Sequence, residues 1–166
     1  MKPIQAGLTL PQGWLDEFPD NNSHNQFLFS KSVALKAEQL GYDAGYVYDH
    51  FIPYYGDKRT MPFFEAYTLL SAIASVTSKL RVGQVVTCNS YRSPALLAKM
   101  STTLDAISNG RLEFGIGAGW FEYEYNSYGY RFDDASTRIE QLDESITIIK
   151  KCGKKKNQIL REGIIL

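Results

Sequence analysis

Short apolar runs alternate along the chain with longer segments in which apolar residues recur every three or four positions. The short runs predict buried strands, and the spacing of the longer segments is that of one helix face. The predicted strands are 4–10, 44–48, 80–87 and 111–116, and the predicted helices are 29–40, 64–76, 93–109 and 139–149. Four successive strand–helix units predict a parallel sheet with helices packed outside it.

Residues with cap preferences mark the ends of these helices. Ser30 or Ser32 is the expected N-cap of the first helix, and Gly41 is its expected stop. Ser93 precedes a proline and opens the third helix, which ends in a left-handed turn at Asn109. The pattern leaves two architectures open, a doubly wound open sheet and a closed barrel.

Composition and charge restrict the class of protein. The chain has 166 residues, 44% of them hydrophobic and 22% charged, as in an ordinary globular domain. Its 18 basic and 18 acidic residues give a net charge of zero, so nothing electrostatic favours nucleic acid or a membrane surface as a partner. The chain has no apolar run long enough for a signal peptide or a membrane span, which predicts a soluble, cytoplasmic protein.

The two cysteines, Cys88 and Cys152, follow neither a disulfide framework nor the spacing of metal ligands. We therefore expect free thiols, and no metal site.

A cluster of glycines follows the fourth predicted strand. Gly115 and Gly117 occupy the first and third positions of a dinucleotide-binding fingerprint, but Trp120 stands at the sixth, where glycine is required. The next residues, 121–126, lack a clear helical face, so the fingerprint fails. The glycines permit either close approach of the backbone to a ligand or merely a tight turn.

Three segments together resemble the luciferase-like monooxygenase superfamily, and most closely its branch that depends on the deazaflavin coenzyme F420. They are 41–51 (GYDAGYVYDHF), 80–99 and 104–120, and the similarity extends over roughly residues 4–150. The resemblance implies an α/β fold, the (β/α)₈ TIM barrel. Because such a barrel has about 250 residues, we expect this chain to hold about the first four βα units.

The resemblance implies roles for two residues that follow the second strand. His50 matches a histidine that lies beside the cofactor ring and transfers protons, and imidazole suits that role near neutral pH. Asp49 matches a position that hydrogen-bonds the cofactor. The structural alternative is that Asp49 caps the following loop and His50 is an ordinary buried histidine.

The resemblance also implies which residues contact the cofactor ring. Val85 and Val86 match a non-proline cis peptide bond that backs the ring in several members. Cys88 matches a hydroxyl contact, although a small buried apolar residue is an equal interpretation. Ala118 and Gly119 match a backbone segment near the cofactor.

The implied function is hydride transfer between F420, or FMN as the alternative, and a small organic substrate. Trp120 replaces the catalytic glutamate of the sugar-phosphate dehydrogenases, so sugar phosphates are not the expected substrates and Trp120 is expected to wall the pocket. Two alternatives remain: a non-catalytic relative that associates with itself or with a full-length paralogue, and a barrel hydrolase that uses Asp49 and His50. Relatives imply a homo-oligomer.

The lysine-rich tail at 151–166 does not resemble the continuation of the family. This departure predicts a frameshifted or prematurely ended reading frame, and with it doubtful activity for a half barrel. The expected domain is therefore 1–150.

Overall fold

Parallel strands and helices alternate in the computed structural model, which describes residues 4–54 and 62–153. The strands are β1 (Gly7–Thr9), β2 (Ala44–Val47), β3 (Arg81–Gln84), β4 (Thr87–Cys88), β5 (Leu112–Glu113) and β6 (Ile116–Gly117). The helices are α1 (Ser23–Leu40), α2 (Ala66–Val76), α3 (Pro94–Ser108), α4 (Glu122–Ser127) and α5 (Ala135–Gly153), with a 3₁₀ turn at Asn89–Tyr91.

The strands lie side by side in chain order. A four-stranded sheet has the order β1-β2-β3-β5, a separate pair joins β4 to β6, and every pairing is parallel. Helices connect the strands as in repeated βαβ units, so all carboxyl ends of the strands point the same way. The site is therefore expected at that end.

The predicted strands at 80–87 and 111–116 are each divided in two. The third breaks at Val85–Val86, where the peptide bond is cis, as the resemblance implied. The ladder resumes where the N–H of Thr87 donates to the carbonyl of Gly115 at 2.9 Å. The first predicted strand is shorter than expected, because only Gly7–Thr9 is paired and Ile4 is exposed.

The core lies between the sheet and the helices. Alternate strand residues point toward the helices and are buried against apolar helix residues, as the periods of strand and helix require. This core includes Leu10, Val47, Leu80, Val82, Phe114 and Ile116 from the strand segments and Ala34, Leu70, Ile73, Leu97, Leu104 and Ile149 from the helices.

The first helix begins earlier than the cap residues predicted. Its N-cap is Asn22, whose side-chain oxygen accepts from the N–H groups of His24 and Asn25 at 3.0 and 3.1 Å. Ser30 and Ser32 lie inside the helix, so the predicted cap is wrong. The first turn of α1 is polar, so it lacks the apolar spacing that predicts the remainder of the helix. The predicted stop at Gly41 is confirmed, with φ of 82°.

Two further differences concern helices. Residues 122–127 form the short helix α4, so the expectation that 121–126 is not helical is wrong. Helix α5 continues to Gly153, past the expected boundary at 150, and the rest of the tail lies outside the described residues. None of the helices in the described ranges combines the length and apolar character needed to cross a bilayer.

Side chains tie the backbone together at the amino end of β3. The Glu38 carboxylate accepts hydrogen bonds from three consecutive backbone N–H groups, those of residues 78–80, at N–O distances of 2.6–2.8 Å. Arg111 donates to the carbonyls of Ala74, Thr77 and Leu80 at 2.6–2.9 Å. The bonds from Arg111 to Ala74 and Thr77 satisfy carbonyls at the end of α2 that have no partner within the helix.

Candidate active site

A cleft that is open to solvent lies at the carboxyl ends of β2, β4 and β6. Its lining residues are Asp49, His50, Val85, Val86, Thr87, Cys88, Tyr91, Gly117, Gly119 and Trp120. The cleft thus brings together His50 and five of the six predicted cofactor contacts. The sixth, Ala118, is not part of the lining, and its carbonyl accepts from the Tyr125 hydroxyl at 3.4 Å.

His50 is fixed on one edge and covered on one face. Its Nδ1 lies 2.8 Å from Oε2 of Glu124, a carboxyl with no exposed surface. The Trp14 ring stacks on the imidazole, with centroids 4.4 Å apart and planes 23° apart. The rings of Trp120 and Phe121 lie edge-to-face with the imidazole, with centroids 5.9 and 6.0 Å from its own. His50 is therefore held rigidly at the wall of the cleft.

Asp49 is buried and bonded within the protein. Both of its oxygens accept from the Arg92 guanidinium, at 2.7 and 2.9 Å, and one also accepts from the N–H of Cys88 at 2.8 Å. Burial raises the pKa of the Asp49 carboxyl, while the Arg92 guanidinium and that N–H act in the opposite direction. Asp49 thus holds the end of β2 against the end of β4, and its expected contact with a cofactor stays a prediction.

Val85 and Val86 form an apolar step in the cleft. Their side chains are 46% and 38% exposed, which is unusual for valines beside a central strand. Gly117 lies against this step, because a Cβ there would come within 2.9 Å of a methyl group of Val86. An exposed apolar surface bordered by bare backbone suits a planar ring.

Cys88 is both a small buried residue and part of the lining of the cleft. The side chain is buried, and Sγ lies 3.1 Å from the hydroxyl of Tyr125. Burial raises the pKa of the Cys88 thiol to about 11, so the sulfur stays protonated at neutral pH. Cys88 still borders the cleft, so its thiol can serve as a weak hydrogen-bond donor in the predicted contact with a cofactor.

The loop after β1 supplies the aromatic cover of His50. Glu17 accepts from the N–H groups of Gln12, Gly13 and Leu15 at 2.7, 2.8 and 2.7 Å. Burial would raise the pKa of Glu17, but these bonds outweigh it and lower the pKa. The loop that carries Trp14 is therefore tied to a single anionic side chain.

Gln12 joins the same loop to β2. Its amide donates to the carbonyls of Tyr48 and Phe64 at 2.8 and 2.7 Å, and its oxygen accepts from the N–H of Tyr48 at 2.8 Å. All of its polar atoms have protein partners, so the residue fixes the loop rather than binding a ligand.

Three residues that contact His50 or its partner carboxyl were not predicted from the sequence: Glu124, Tyr91 and Trp14. Glu124 lies on α4, which at six residues is too short for an apolar period. The only available signal was an acid placed among tyrosines, at 123–125. Tyr91 lies within a segment that carries the resemblance, but nothing in that segment indicates that its hydroxyl bonds a buried carboxyl.

Within residues 4–54 and 62–153, no group of three or more His, Cys, Asp or Glu side chains is arranged to hold a metal ion. The side chains in the cleft instead offer an imidazole, a thiol, aromatic rings and apolar surface.

The sequence profile of the luciferase-like monooxygenases matches residues 17–157, which is most of the chain. The chain belongs to this family. Among its relatives is the pyrimidine monooxygenase RutA of Agrobacterium fabrum, 31% identical over 155 residues. Another is the F420-dependent glucose-6-phosphate dehydrogenase of Amycolatopsis mediterranei, 31% identical over 119 residues.

These alignments cover 89% and 71% of this luciferase-like chain but 42% and 35% of the two relatives. The chain therefore spans about two-fifths of the length of the curated relatives it matches.

Solved structures of the family share the fold. An F420-dependent secondary alcohol dehydrogenase superposes with a TM-score of 0.75 at 22% identity, covering 96% of this chain and 44% of the other. The oxygenating constituent of 3,6-diketocamphane monooxygenase from Pseudomonas putida, in complex with FMN, gives 0.73 at 22% identity, covering 92% and 40%. The fold is thus of the (β/α)₈ TIM-barrel class, and the chain contains only part of the barrel. This resolves the choice between barrel and open sheet.

Proposed function

We propose that this luciferase-like chain belongs to an oxidoreductase that transfers hydride between a flavin-type cofactor and a small organic substrate. The observation that carries the proposal is the cleft itself. An exposed apolar step at Val85 and Val86 lies in one cleft with His50, whose imidazole is fixed by a buried carboxyl. Ring binding and proton transfer require these two elements together.

The residues present fit a planar ring. The Val85–Val86 step and the bare backbone of Gly117 leave space that a side chain on Gly117 would fill. We propose that Val85, Val86, Cys88 and the backbone at 117–119 hold the ring. A deazaflavin or flavin, when bound, supplies hydride acceptance and donation that amino-acid side chains lack.

His50 is the proposed catalytic residue. It lines the cleft, and near neutral pH an imidazole carries a proton in either direction between substrate and solvent. Trp14, Trp120 and Phe121 around it exclude water and offer apolar area, which favours a small, largely apolar substrate.

Coenzyme F420 is the proposed cofactor, with FMN as the alternative. F420 is named for the Amycolatopsis dehydrogenase and the secondary alcohol dehydrogenase, and FMN for the camphane monooxygenase. We further propose a cytoplasmic location, because Cys88 and Cys152 are free thiols, as is usual in a reducing compartment.

The test is a fluorescence titration of the purified chain with F420 and with FMN. We expect saturable binding of one cofactor, and at least about tenfold weaker binding by Gly117→Val, whose side chain meets Val86. His50→Ala should bind the cofactor almost normally and slow turnover by about 10²–10⁴-fold. His24→Ala, on the exposed start of α1, is the matched control for loss of a histidine.

Two outcomes would contradict the proposal. A folded chain that binds neither cofactor would favour the non-catalytic relative that only associates with other chains. Equal binding by Gly117→Val and the unaltered chain would place the cofactor elsewhere.

A further inference from the structure

Glu124 is a fully buried carboxylate that accepts three hydrogen bonds from defined donors and makes a fourth contact with an imidazole nitrogen. Oε1 accepts from the backbone N–H groups of Phe51 and Ile52 at 2.6 and 3.2 Å. Oε2 accepts from the Tyr91 hydroxyl and faces Nδ1 of His50 at 2.8 Å. A carboxylate offers about four acceptor positions, so all of them are used.

No lysine or arginine in the described ranges forms an ion pair with this carboxylate. Among those residues, His50 is its only partner that can carry a positive charge. Burial and the bond to Glu124 raise the pKa of Tyr91, so the phenol stays protonated. Its O–H donates a hydrogen bond to Oε2 of Glu124. A buried anion surrounded by donors is complementary to a protonated imidazole.

These contacts determine which ring nitrogen of His50 carries hydrogen. Because the other three partners of Glu124 are donors, the carboxylate is the acceptor in the fourth bond as well, and Nδ1 is the donor. Nδ1–H in a neutral imidazole leaves Nε2 with a free lone pair. Within the part of the chain that is described, Nε2 has no hydrogen-bond partner, and His50 borders the cleft.

We propose that Glu124 is a positioning residue, which locks His50 as the Nδ1–H tautomer and makes Nε2 the proton acceptor of the cleft. When Nε2 takes a proton from a bound substrate, the ring gains one positive charge, and the fixed Glu124 carboxylate stabilises it through Nδ1–H. When Nε2 returns the proton, the neutral tautomer is restored. The catalytic consequence rests on the proposed function, whereas the tautomer does not.

Glu124→Gln gives the sharpest test, because its amide has a defined orientation. The two backbone N–H groups require the amide oxygen at the Oε1 position, which directs the NH₂ group toward Nδ1 and the Tyr91 hydroxyl. An NH₂ group can only donate to Nδ1, so His50 must switch to the Nε2–H tautomer. Glu122→Gln, on the exposed side of α4, is the matched control.

The measurement is a long-range ¹H–¹⁵N NMR spectrum of the imidazole rings in the cofactor-free full chain. The chain has two histidines, and removing the exposed His24 assigns the signals. We expect Nδ1–H for His50 in the unaltered chain and in Glu122→Gln, and Nε2–H in Glu124→Gln. Tyr91→Phe keeps the carboxylate and should keep Nδ1–H.

An Nε2–H signal for His50 in the unaltered chain would overturn the proposal even if Glu124→Gln failed to fold. An unchanged Nδ1–H signal in folded Glu124→Gln would overturn it as well. In the loaded enzyme, Glu124→Gln should lower kcat by about 10²–10⁴-fold with little change in KM. Failure to bind any cofactor, with the expected tautomers in place, would refute the proposed function alone.

Discussion

Gly119 lies where the glycine-rich turn passes closest to the side chains beneath the cleft. Its φ is +79°, and a Cβ there would lie 1.9 Å from the hydroxyl oxygen of Tyr125 and 2.8 Å from Sγ of Cys88. Both the backbone conformation and the space exclude a side chain. The residue therefore sets the depth of the cleft floor.

Gly119→Ala should lower the free energy of unfolding by about 2–4 kcal/mol, through backbone strain and steric overlap together. Urea denaturation measures this change. Gly129→Ala is the control, since φ is +74° there but no atom lies within 4 Å of the added methyl group, so strain alone costs about 1 kcal/mol. Equal losses in the two variants would show that the overlap at Gly119 relaxes at no cost.

The buried thiol of Cys88 predicts a loss of stability in alkali. Burial raises its pKa from the ordinary value of 9.0 to about 11. Between these two pH values the unfolded chain releases the proton and the folded chain keeps it, so the unfolded state binds fewer protons and stability falls as pH rises. The effect across that window is up to about 3 kcal/mol.

Cys88→Ala removes this titration. Urea unfolding at a series of pH values should therefore show a steeper alkaline decline for the unaltered chain than for Cys88→Ala. Parallel declines would mean that the thiol reaches solvent more readily than its burial indicates.

Single residues also show what the sequence alone could predict. Motif resemblance selected His50 and Cys88, which line the cleft, and predicted the cis bond at Val85–Val86, because those residues stand in continuous segments near strand ends. It did not identify Glu124, whose importance arises from a contact with His50 across 74 positions of the chain. Periodicity reports local structure and carries no signal for such a pairing.

Arg92 connects three elements of the fold. Its guanidinium bonds Asp49 after β2 and Glu65, the N-cap of α2, at 2.7–2.9 Å, and it lies 4.8 Å from the centroid of the Tyr67 ring. The side chain is only 7% exposed, so solvent screens these contacts little.

Arg92→Met should destabilise the chain by about 3–5 kcal/mol, because it leaves the Asp49 carboxyl buried without its partner. Arg131→Met, which breaks an ion pair with Asp133 at an arginine that is 86% exposed, should cost less than about 1 kcal/mol. Urea denaturation compares the two. A loss at Arg92 as small as that at Arg131 would mean that Asp49 takes up a proton or water without penalty.

Elements with a long apolar face were predictable, and short or interrupted ones were not. Helices α2 and α3 match their predicted spans closely, and the predicted caps Ser93 and Asn109 are confirmed. The break in the third strand, at Val85–Val86, was indicated only by the resemblance to the family. The break in the fourth strand left no mark in the sequence, because glycines suit both a turn and a bulge.

The four-stranded sheet has an open edge at β1, which within residues 4–54 and 62–153 pairs only with β2. The N–H of Leu10 donates to the carbonyl of Tyr46, so the alternation of a strand points the N–H of the exposed Thr9 away from β2. In a closed (β/α)₈ barrel the first strand pairs with the last, so this edge is where the rest of a barrel closes on β1.

The bonds made by Glu38 and Arg111 at the amino end of β3 have a consequence for how this family diversifies. They hold the strands and helices together at the end of the sheet opposite the cleft, and none of them involves a residue that lines it. Replacements at exposed cleft positions such as Trp120 therefore leave this framework untouched. Selection for a new substrate can then act on the wall of the cleft over many generations while the scaffold beneath it is inherited unchanged.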